Sequence, residues 1–186
     1  VPGSSTVTCD DVLIANPTVA CHLNGGPTSI PVTEAKRVIE KAACAIEIVH
    51  CGNLLSALEI GKFLKEKDQL NRLILGNDAP SGTGVIPLGI WRMVNFMSAL
   101  CDIPAETAVC FATGNTKNVF SLPHGMVKVG EEADLQIIDA PMGSAGKDAK
   151  SAIEAGDIPG IAMVLIDGAV RTQVSRNTPP PVRRIT

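Results

Sequence analysis

The chain has 186 residues, of which 45% are hydrophobic and 19% are charged, so it holds enough apolar material for a core and is not a disordered chain. Its net charge is −3, and the local basic pair Arg183 and Arg184 is too little for a nucleic-acid surface. No apolar run approaches the ~18 residues of a membrane span. From the charge and from these runs, we expect neither a nucleic-acid partner nor a membrane partner.

The six cysteines point to a reducing compartment. None of them forms a CxxC pair, and Cys21, Cys44 and Cys110 lie in apolar runs, where cysteine acts as a small buried hydrophobe. We therefore expect free thiols and a cytoplasmic protein. The chain begins at Val1 with no visible signal peptide, which suggests a processed or truncated N-terminus.

The first half of the chain alternates between short apolar strands and amphipathic helices. Strands are predicted at residues 18–21, 44–49 and 72–75, and helices at residues 11–15, 34–43 and 54–67. Asp10 or Thr8 can cap the first helix, and Thr33 is a good cap for the second. Three strand–loop–helix units at a spacing of about 27 residues predict parallel strands with right-handed crossovers.

The second half has a different pattern. Helices are predicted at residues 88–100, 105–112 and 148–155, with a further helical turn near residues 117–120. Strands are predicted at residues 133–139, 162–166 and 169–172. The turn Asp167-Gly168 is the strongest hairpin signal in the chain, and residues 177–186, with three consecutive prolines, are expected to form an extended tail.

Polar residues follow all three predicted parallel strands. His22 follows the first, His50 the second and Asp78 the third, and strand ends of a parallel sheet face the same side. Histidine and aspartate suit a borderline divalent ion such as zinc, which would lower the pKa of bound water toward ~7. Asp78 could then take a proton from that water and pass it to a leaving nitrogen.

Other interpretations of these residues remain open at this stage. A histidine after a strand is commonly structural or solvated, and an aspartate in a glycine-rich loop is commonly a turn or capping residue. The loop at residues 76–84 could also suggest a phosphate cradle, but it lacks the P-loop lysine and the GxGxxG spacing. His124 lies beyond these strands, and we interpret it as structural.

Several longer stretches resemble a known family. They are PGSSTVTCDDV, HLNGGPTSI, EIVHCGN, GNDAPSGTGVIPLGI, ATGN, GEEADLQIIDAP, AGDIPGIAMVLIDG and SRNTPPP, and together they span nearly the whole chain. They resemble the C-terminal part of the amidohydrolase superfamily, and most closely the enamidases of nicotinate breakdown. GNDAPSGTG and EADLQIID are specific as a pair, because the family has one on its barrel and the other on its accessory β-domain.

The resemblance implies an α/β fold: the C-terminal part of a TIM-like (β/α)8 barrel with about three βα units, plus part of a small accessory β-domain. Residues 1–122 would form the barrel part, residues 123–176 the accessory segment and residues 177–186 the extended tail. Three units are too few for a complete barrel, which typically needs about 250 residues.

The resemblance also implies roles for individual residues. His22 would be the metal ligand after the sixth barrel strand, and Asp78, after the eighth, would be both a ligand and the catalytic proton shuttle. His50 would lie near the substrate, although the enamidase pattern has Gln at this position. The remaining residues implied on the substrate side are Asn24, Gly25, Ser81 and Thr83. Gly25 could instead simply make a turn, and Ser81 and Thr83 could simply hold their loop.

The implied activity is hydrolysis of a cyclic amide. A metal-bound hydroxide would open a six-membered lactam that carries a carboxylate, and the enamine product would go on to an aldehyde and ammonia. The implied cofactor is a divalent metal, zinc most of all, in a binuclear or iron–zinc centre. The HxH pair, the bridging Lys or Glu and the fifth-strand His of the family are not in this sequence. We therefore expect the chain to need the N-terminal remainder of the barrel as a partner, and the enzyme to be a homo-oligomer.

Two alternatives follow from this incomplete set. The chain could be a non-catalytic half-barrel or assembly module that pairs with another polypeptide. It could also belong to a related amidohydrolase that acts on a dihydroorotase- or hydantoinase-like ring.

Overall fold

The computed structural model describes residues 7–26, 31–80 and 84–185. The chain divides into two compact units, Val1–Met93 and Val94–Thr186. The boundary predicted near residue 122 lies inside the second unit, so the barrel and accessory-domain assignments stay predictions. None of the helices in the described part of the chain combines the length and apolar character that crossing a bilayer requires.

The first unit alternates helices and strands. Its elements are α1 (Cys9–Ala15), β1 (Val19–Ala20), α2 (Val32–Lys41), β2 (Ala45–Val49), α3 (Leu54–Glu66) and β3 (Leu73–Gly76). The three strands form one parallel sheet in the order β1-β2-β3, with Ala20 beside Ile46 and Val49 beside Gly76. The predicted parallel α/β arrangement is therefore confirmed.

Local capping explains where the helices of this unit begin. Thr8 caps α1, and Thr8 and Asp11 form a reciprocal capping box. Asn53 caps α3 by accepting a hydrogen bond from the backbone of Ser56 at 2.9 Å. The predicted Thr33 cap of α2 is wrong. The helix starts at Val32, two residues before the predicted start at residue 34, and Pro31 occupies the cap position.

The core of the first unit lies on both faces of β2. Ile46 and Ile48 are fully buried in that strand, and Val49 is 1% exposed. The helices and β3 add further fully buried side chains, namely Ile39, Ile60, Leu64 and Leu73. A central parallel strand covered on both sides reads as a nearly continuous apolar run, as this one does.

Arg72 connects a helix end with two strands. It closes a short 3-10 turn, Leu70–Arg72, directly before β3. Its guanidinium donates hydrogen bonds to the carbonyl oxygens of Ile39 at 2.9 Å, of Ala42 at 2.5 Å and of Cys44 at 2.7 Å. These carbonyls lie at the C-terminal end of α2 and before β2, so Arg72 satisfies backbone groups that would otherwise be orphaned.

The second unit consists of helices and a small antiparallel sheet. Helix α4 (Gly89–Cys101) runs into it from the first unit, and α5 (Ala105–Ala112), α6 (Gly114–Phe120), β4 (Leu135–Asp139), α7 (Ala149–Glu154), β5 (Gly160–Ile166) and β6 (Ala169–Thr172) follow. The sheet has the order β4-β5-β6. Asp167 and Gly168 both have positive φ, 58° and 70°, as a tight hairpin turn requires, and the predicted hairpin is confirmed.

The predicted extended tail packs against β4. The backbone N–H of Val182 donates to the carbonyl of Ala140 at 2.9 Å. Both the backbone N–H and Nε of Arg183 donate to Oδ2 of Asp139 at 2.9 Å. Asp139 is 5% exposed. The Arg183 guanidinium and the backbone N–H groups of Arg183 and Ala140 therefore hold the pKa of the Asp139 carboxyl well below its usual range.

We expect Arg183→Met to lower the thermal unfolding midpoint of the protein by about 3–6 °C at neutral pH, because a buried carboxylate loses its charged donor. Arg184→Met, one residue further, is the matched control and should shift the midpoint little. The folded carboxyl has the lower pKa, so its stabilising contribution is fully present above the unfolded pKa of about 4 and decreases progressively as the pH falls from there through the folded pKa. Differential scanning calorimetry at pH 7 and pH 3 measures this, and equal midpoints for both variants at pH 7 would contradict it.

Candidate active site at the strand ends

Three parallel strands bring the predicted site residues to one edge of the sheet. His22 follows β1, His50 follows β2 directly and Asp78 follows β3, and all three side chains are half-buried. Backbone hydrogen bonds continue past the strands and hold these ends together. Leu23 N–H donates to Glu47 O at 2.8 Å, and His50 N–H donates to Gly76 O at 3.1 Å.

His22 has an unusual backbone and an available imidazole nitrogen. Its φ is +34°, in the left-handed region that few residues with a Cβ adopt. Its carbonyl accepts from Gly25 N–H at 2.7 Å, and its own N–H donates to Oε2 of Glu47 at 3.1 Å. The imidazole Nδ1 is buried and has no hydrogen-bond partner among the described residues. An imidazole nitrogen without a hydrogen-bond partner is the kind of donor that a borderline metal ion requires.

Asp78 lies two residues after β3, just before a turn at residues 79–80. Its φ is +53°, and aspartate is one of the residues that tolerate this conformation. The preceding residue, Asn77, has a buried Oδ1 without a partner in the described part of the chain. Gly89 packs closely there, since a Cβ at Gly89 would lie 2.2 Å from that oxygen. The Asp78 carboxylate therefore sits on a constrained loop.

His50 lies between the other two strand ends. Its Nδ1 is buried with no partner among the described residues. Burial lowers the pKa of His50, and the positive charge of Arg92 lowers it further. The imidazole is therefore neutral around pH 7 and can either donate or accept a hydrogen bond.

Asn24 and Gly25 belong to the turn after β1 that carries His22. Asn24 is fully buried; its Nδ2 donates to Val49 O and its Oδ1 accepts from Val49 N–H, both at 2.9 Å. Gly25 has φ +78°, which the turn after β1 requires and which glycine adopts without strain. Gly52 packs against both, because a Cβ there would lie 2.2 Å from Asn24 Nδ2 and 2.4 Å from Gly25 O. Ser81 and Thr83 lie outside the described residues.

A preformed set of three metal donors occurs elsewhere. Within the described ranges, the only three His, Cys, Asp or Glu side chains whose donor atoms all lie within 4.8 Å of one another are His124, Glu132 and Asp134. That group is in the second unit, and the side chains of His124 and Glu132 are 45% and 61% exposed. At the strand ends, His22 and Asp78 have the right chemistry for a divalent metal, but no third described residue of these types completes such a group with them.

Comparisons with known proteins show what the chain is similar to. Enamidase from Eubacterium barkeri is 53% identical over 183 residues, which are 98% of this chain and 47% of the enamidase. The crystal structure of enamidase, presented as a new member of the amidohydrolase superfamily, superposes with a TM-score of 0.94 at 53% identity, over 99% of this chain and 48% of that chain. Over nearly its whole length, the chain is therefore similar to a member of the amidohydrolase superfamily. It spans about half the length of the enamidase that it matches.

Two further comparisons add little. No family model matches this chain. A β-aspartyl dipeptidase from Fervidobacterium islandicum AW-1, solved with a β-Asp-Leu dipeptide, aligns at 15% identity and a TM-score of 0.45, over 92% of this chain and 55% of that chain. A likeness at that level supports no argument about site or substrate.

Sequence patterns alone missed two polar residues near the strand ends. Glu47 interrupts the otherwise apolar strand β2, and Asn77 directly precedes Asp78. A charged residue inside an apolar run is a signal that could have singled out Glu47, because such a residue is rarely buried without a partner. Asn77 carries no comparable signal, since asparagine is common in turns.

Proposed function

We propose that the protein containing this chain is a metal-dependent hydrolase of cyclic amides that acts as an enamidase does. The observation that carries the proposal is 53% identity to an enamidase across 98% of this chain. The positions of His22 and Asp78 after the two outer strands of one parallel sheet support it. Residues 1–122 would belong to the barrel, residues 123–176 to the accessory β-domain and residues 177–186 to its tail.

His22 and Asp78 would hold a divalent metal, with zinc first and a binuclear or iron–zinc centre as the complete form. The fit rests on the two donors. His22, after β1, has a buried Nδ1 without a partner, and Asp78, after β3, offers a carboxylate at the same edge of the sheet. When bound, the metal supplies a Lewis acid that polarises water and carbonyl oxygen. Two protein ligands do not complete a zinc site, so the other donors would come from the N-terminal remainder of the barrel.

Asp78 would act as the proton carrier. Its carboxylate would accept a proton from the attacking water and donate it to the ring nitrogen as the C–N bond breaks. The half-buried, neutral imidazole of His50 would contact the substrate, and Ser81 and Thr83 would do so from the loop after β3. Asn24 and Gly25 would shape the substrate side of the site by fixing the turn that carries His22.

The test uses the protein expressed from the complete reading frame that contains this sequence, beside this chain expressed alone. We expect the complete protein to hydrolyse a carboxylated six-membered lactam, to lose that activity on dialysis against a chelator and to regain it with zinc. We expect the chain alone to be inactive with zinc. Faster turnover of dihydroorotate or a hydantoin than of the lactam would contradict the substrate class, and turnover by the chain alone would contradict the need for further ligands. A homo-oligomer in the cytoplasm is the expected form of the complete enzyme.

A further inference from the structure

Glu47 is the unexplained charge of the first sheet. It occupies the middle of β2, where its neighbours Ile46 and Ile48 are fully buried. Within the described parts of the chain no lysine or arginine forms an ion pair with it. A half-buried carboxylate without a counter-ion is unfavourable unless hydrogen bonds or a bound cation compensate it.

The carboxylate of Glu47 spans the two strand ends that carry His22 and Asp78. On one side its Oε2 accepts the backbone N–H of His22 at 3.1 Å. On the other side its Oε1 lies over Gly76, the last residue of β3, because a Cβ on Gly76 would be 2.7 Å from that oxygen. The absence of a side chain at residue 76 therefore leaves the space that the carboxylate occupies.

The hydrogen bond from His22 holds a strained residue. At φ +34°, His22 is outside the regions that residues with a Cβ prefer, and such a conformation persists only where its surroundings fix it. Glu47 fixes the N–H side of His22, and Gly25 fixes the carbonyl side at 2.7 Å. The direction of the imidazole depends on this backbone conformation.

We propose that Glu47 is a positioning residue for the metal site, and that it acts through its hydrogen bond to the backbone of His22. This inference rests on the proposed function, because it takes His22 as a metal ligand. Groups that orient metal ligands without touching the metal commonly change metal affinity by about 10–100-fold when they are removed. Gly76 contributes to the same arrangement, because its lack of a side chain leaves room for the Glu47 carboxylate.

Four variants of the complete protein separate this role from a general contribution to stability. Glu47→Ala removes the acceptor, whereas Glu47→Gln keeps a neutral acceptor of the same length. Gly76→Ala displaces the carboxylate while the backbone stays in place, since the nearest atom is the end of a flexible side chain. Glu59→Ala is the matched control, because its carboxylate pairs with Lys36 on the helices and is 42% exposed.

The readouts are zinc affinity, by competition with a chromophoric chelator, and the thermal unfolding midpoint without metal. We expect Glu47→Ala and Gly76→Ala each to weaken zinc binding about 10–100-fold and the double variant to be no weaker than Glu47→Ala, since both remove one interaction. Glu47→Gln should stay within about 3-fold of the wild type, and Glu59→Ala should equal it.

Wild-type zinc affinity in Glu47→Ala, or additive losses in the double variant, would overturn the inference. So would a loss in Glu47→Gln as large as in Glu47→Ala. Lactam hydrolysis is measured on the same preparations. A wild type that binds zinc but opens no lactam counts against the proposed function and leaves the role of Glu47 to be decided by zinc affinity alone.

Discussion

Asp78→Asn is expected to lower kcat for lactam hydrolysis by the complete protein by about 10³-fold or more, because the amide can neither accept nor donate the proton that the carboxylate carries. The substitution changes no volume. Asparagine also tolerates the left-handed conformation of residue 78, where φ is +53°, so the turn after β3 should be kept. The effect therefore reports on chemistry rather than on folding.

Asp68→Asn is the matched control for this experiment. Asp68 is an exposed aspartate just after α3 and has a nearly identical φ of +54°. We expect wild-type kcat from this variant and an unchanged thermal midpoint from both. If Asp78→Asn kept more than about a tenth of the wild-type kcat, Asp78 would not be the proton carrier.

The order of elements and their type could be predicted from the sequence because those signals are local. Helix α5 was expected at residues 105–112 and occupies Ala105–Ala112, since Pro104 starts it and an alanine-rich apolar run continues it. The Asp167-Gly168 hairpin followed from turn chemistry alone. Boundaries were less certain where two signals competed, as at Pro31 and Thr33 before α2.

Long-range side-chain contacts could not be predicted in this way. Arg72 was expected to begin a strand, but its guanidinium binds carbonyls 28 to 33 residues away. Asn24 is expected on the substrate side from the resemblance, which stays a prediction, and no local pattern indicates that its amide binds the backbone of Val49, 25 residues further along the chain. Which partner a side chain meets at such a separation depends on how the strands come together, and no local pattern encodes it.

The site shows the same division between what is local and what is not. The parallel sheet rule places His22, His50 and Asp78 at one edge, and the structure has all three there. The rule gives no information on Glu47, which lies within a strand rather than after one. Whether His22 and Asp78 bind metal stays a prediction, because that depends on further donors.

Asn24→Ala is expected to destabilise the first unit by about 2–4 kcal/mol, the largest stability effect among the residues near the strand ends. The side chain is fully buried, and its Oδ1 accepts Val49 N–H at 2.9 Å. Alanine would leave that N–H without this acceptor. It would also open a cavity beside Gly52, because the Asn24 amide lies so close to Gly52 that a Cβ there would be 2.2 Å from Nδ2. The turn that carries His22 would then lose its side-chain attachment to Val49 and keep only its backbone N–H bonds to Glu47 of β2.

Asn53→Ala is the comparison that separates this effect from the loss of one ordinary hydrogen bond. Asn53 caps α3 through a single bond to Ser56 N–H at 2.9 Å, and removal of such a cap costs about 1 kcal/mol. We therefore expect the urea midpoint of the complete protein to fall at least twice as far in Asn24→Ala as in Asn53→Ala. Equal shifts would mean that the turn after β1 is held by its backbone bonds alone. The expected order would instead mean that the Asn24 side chain holds the loop that carries His22 on β2, because that loop has no other buried side chain hydrogen-bonded to β2 within the described residues.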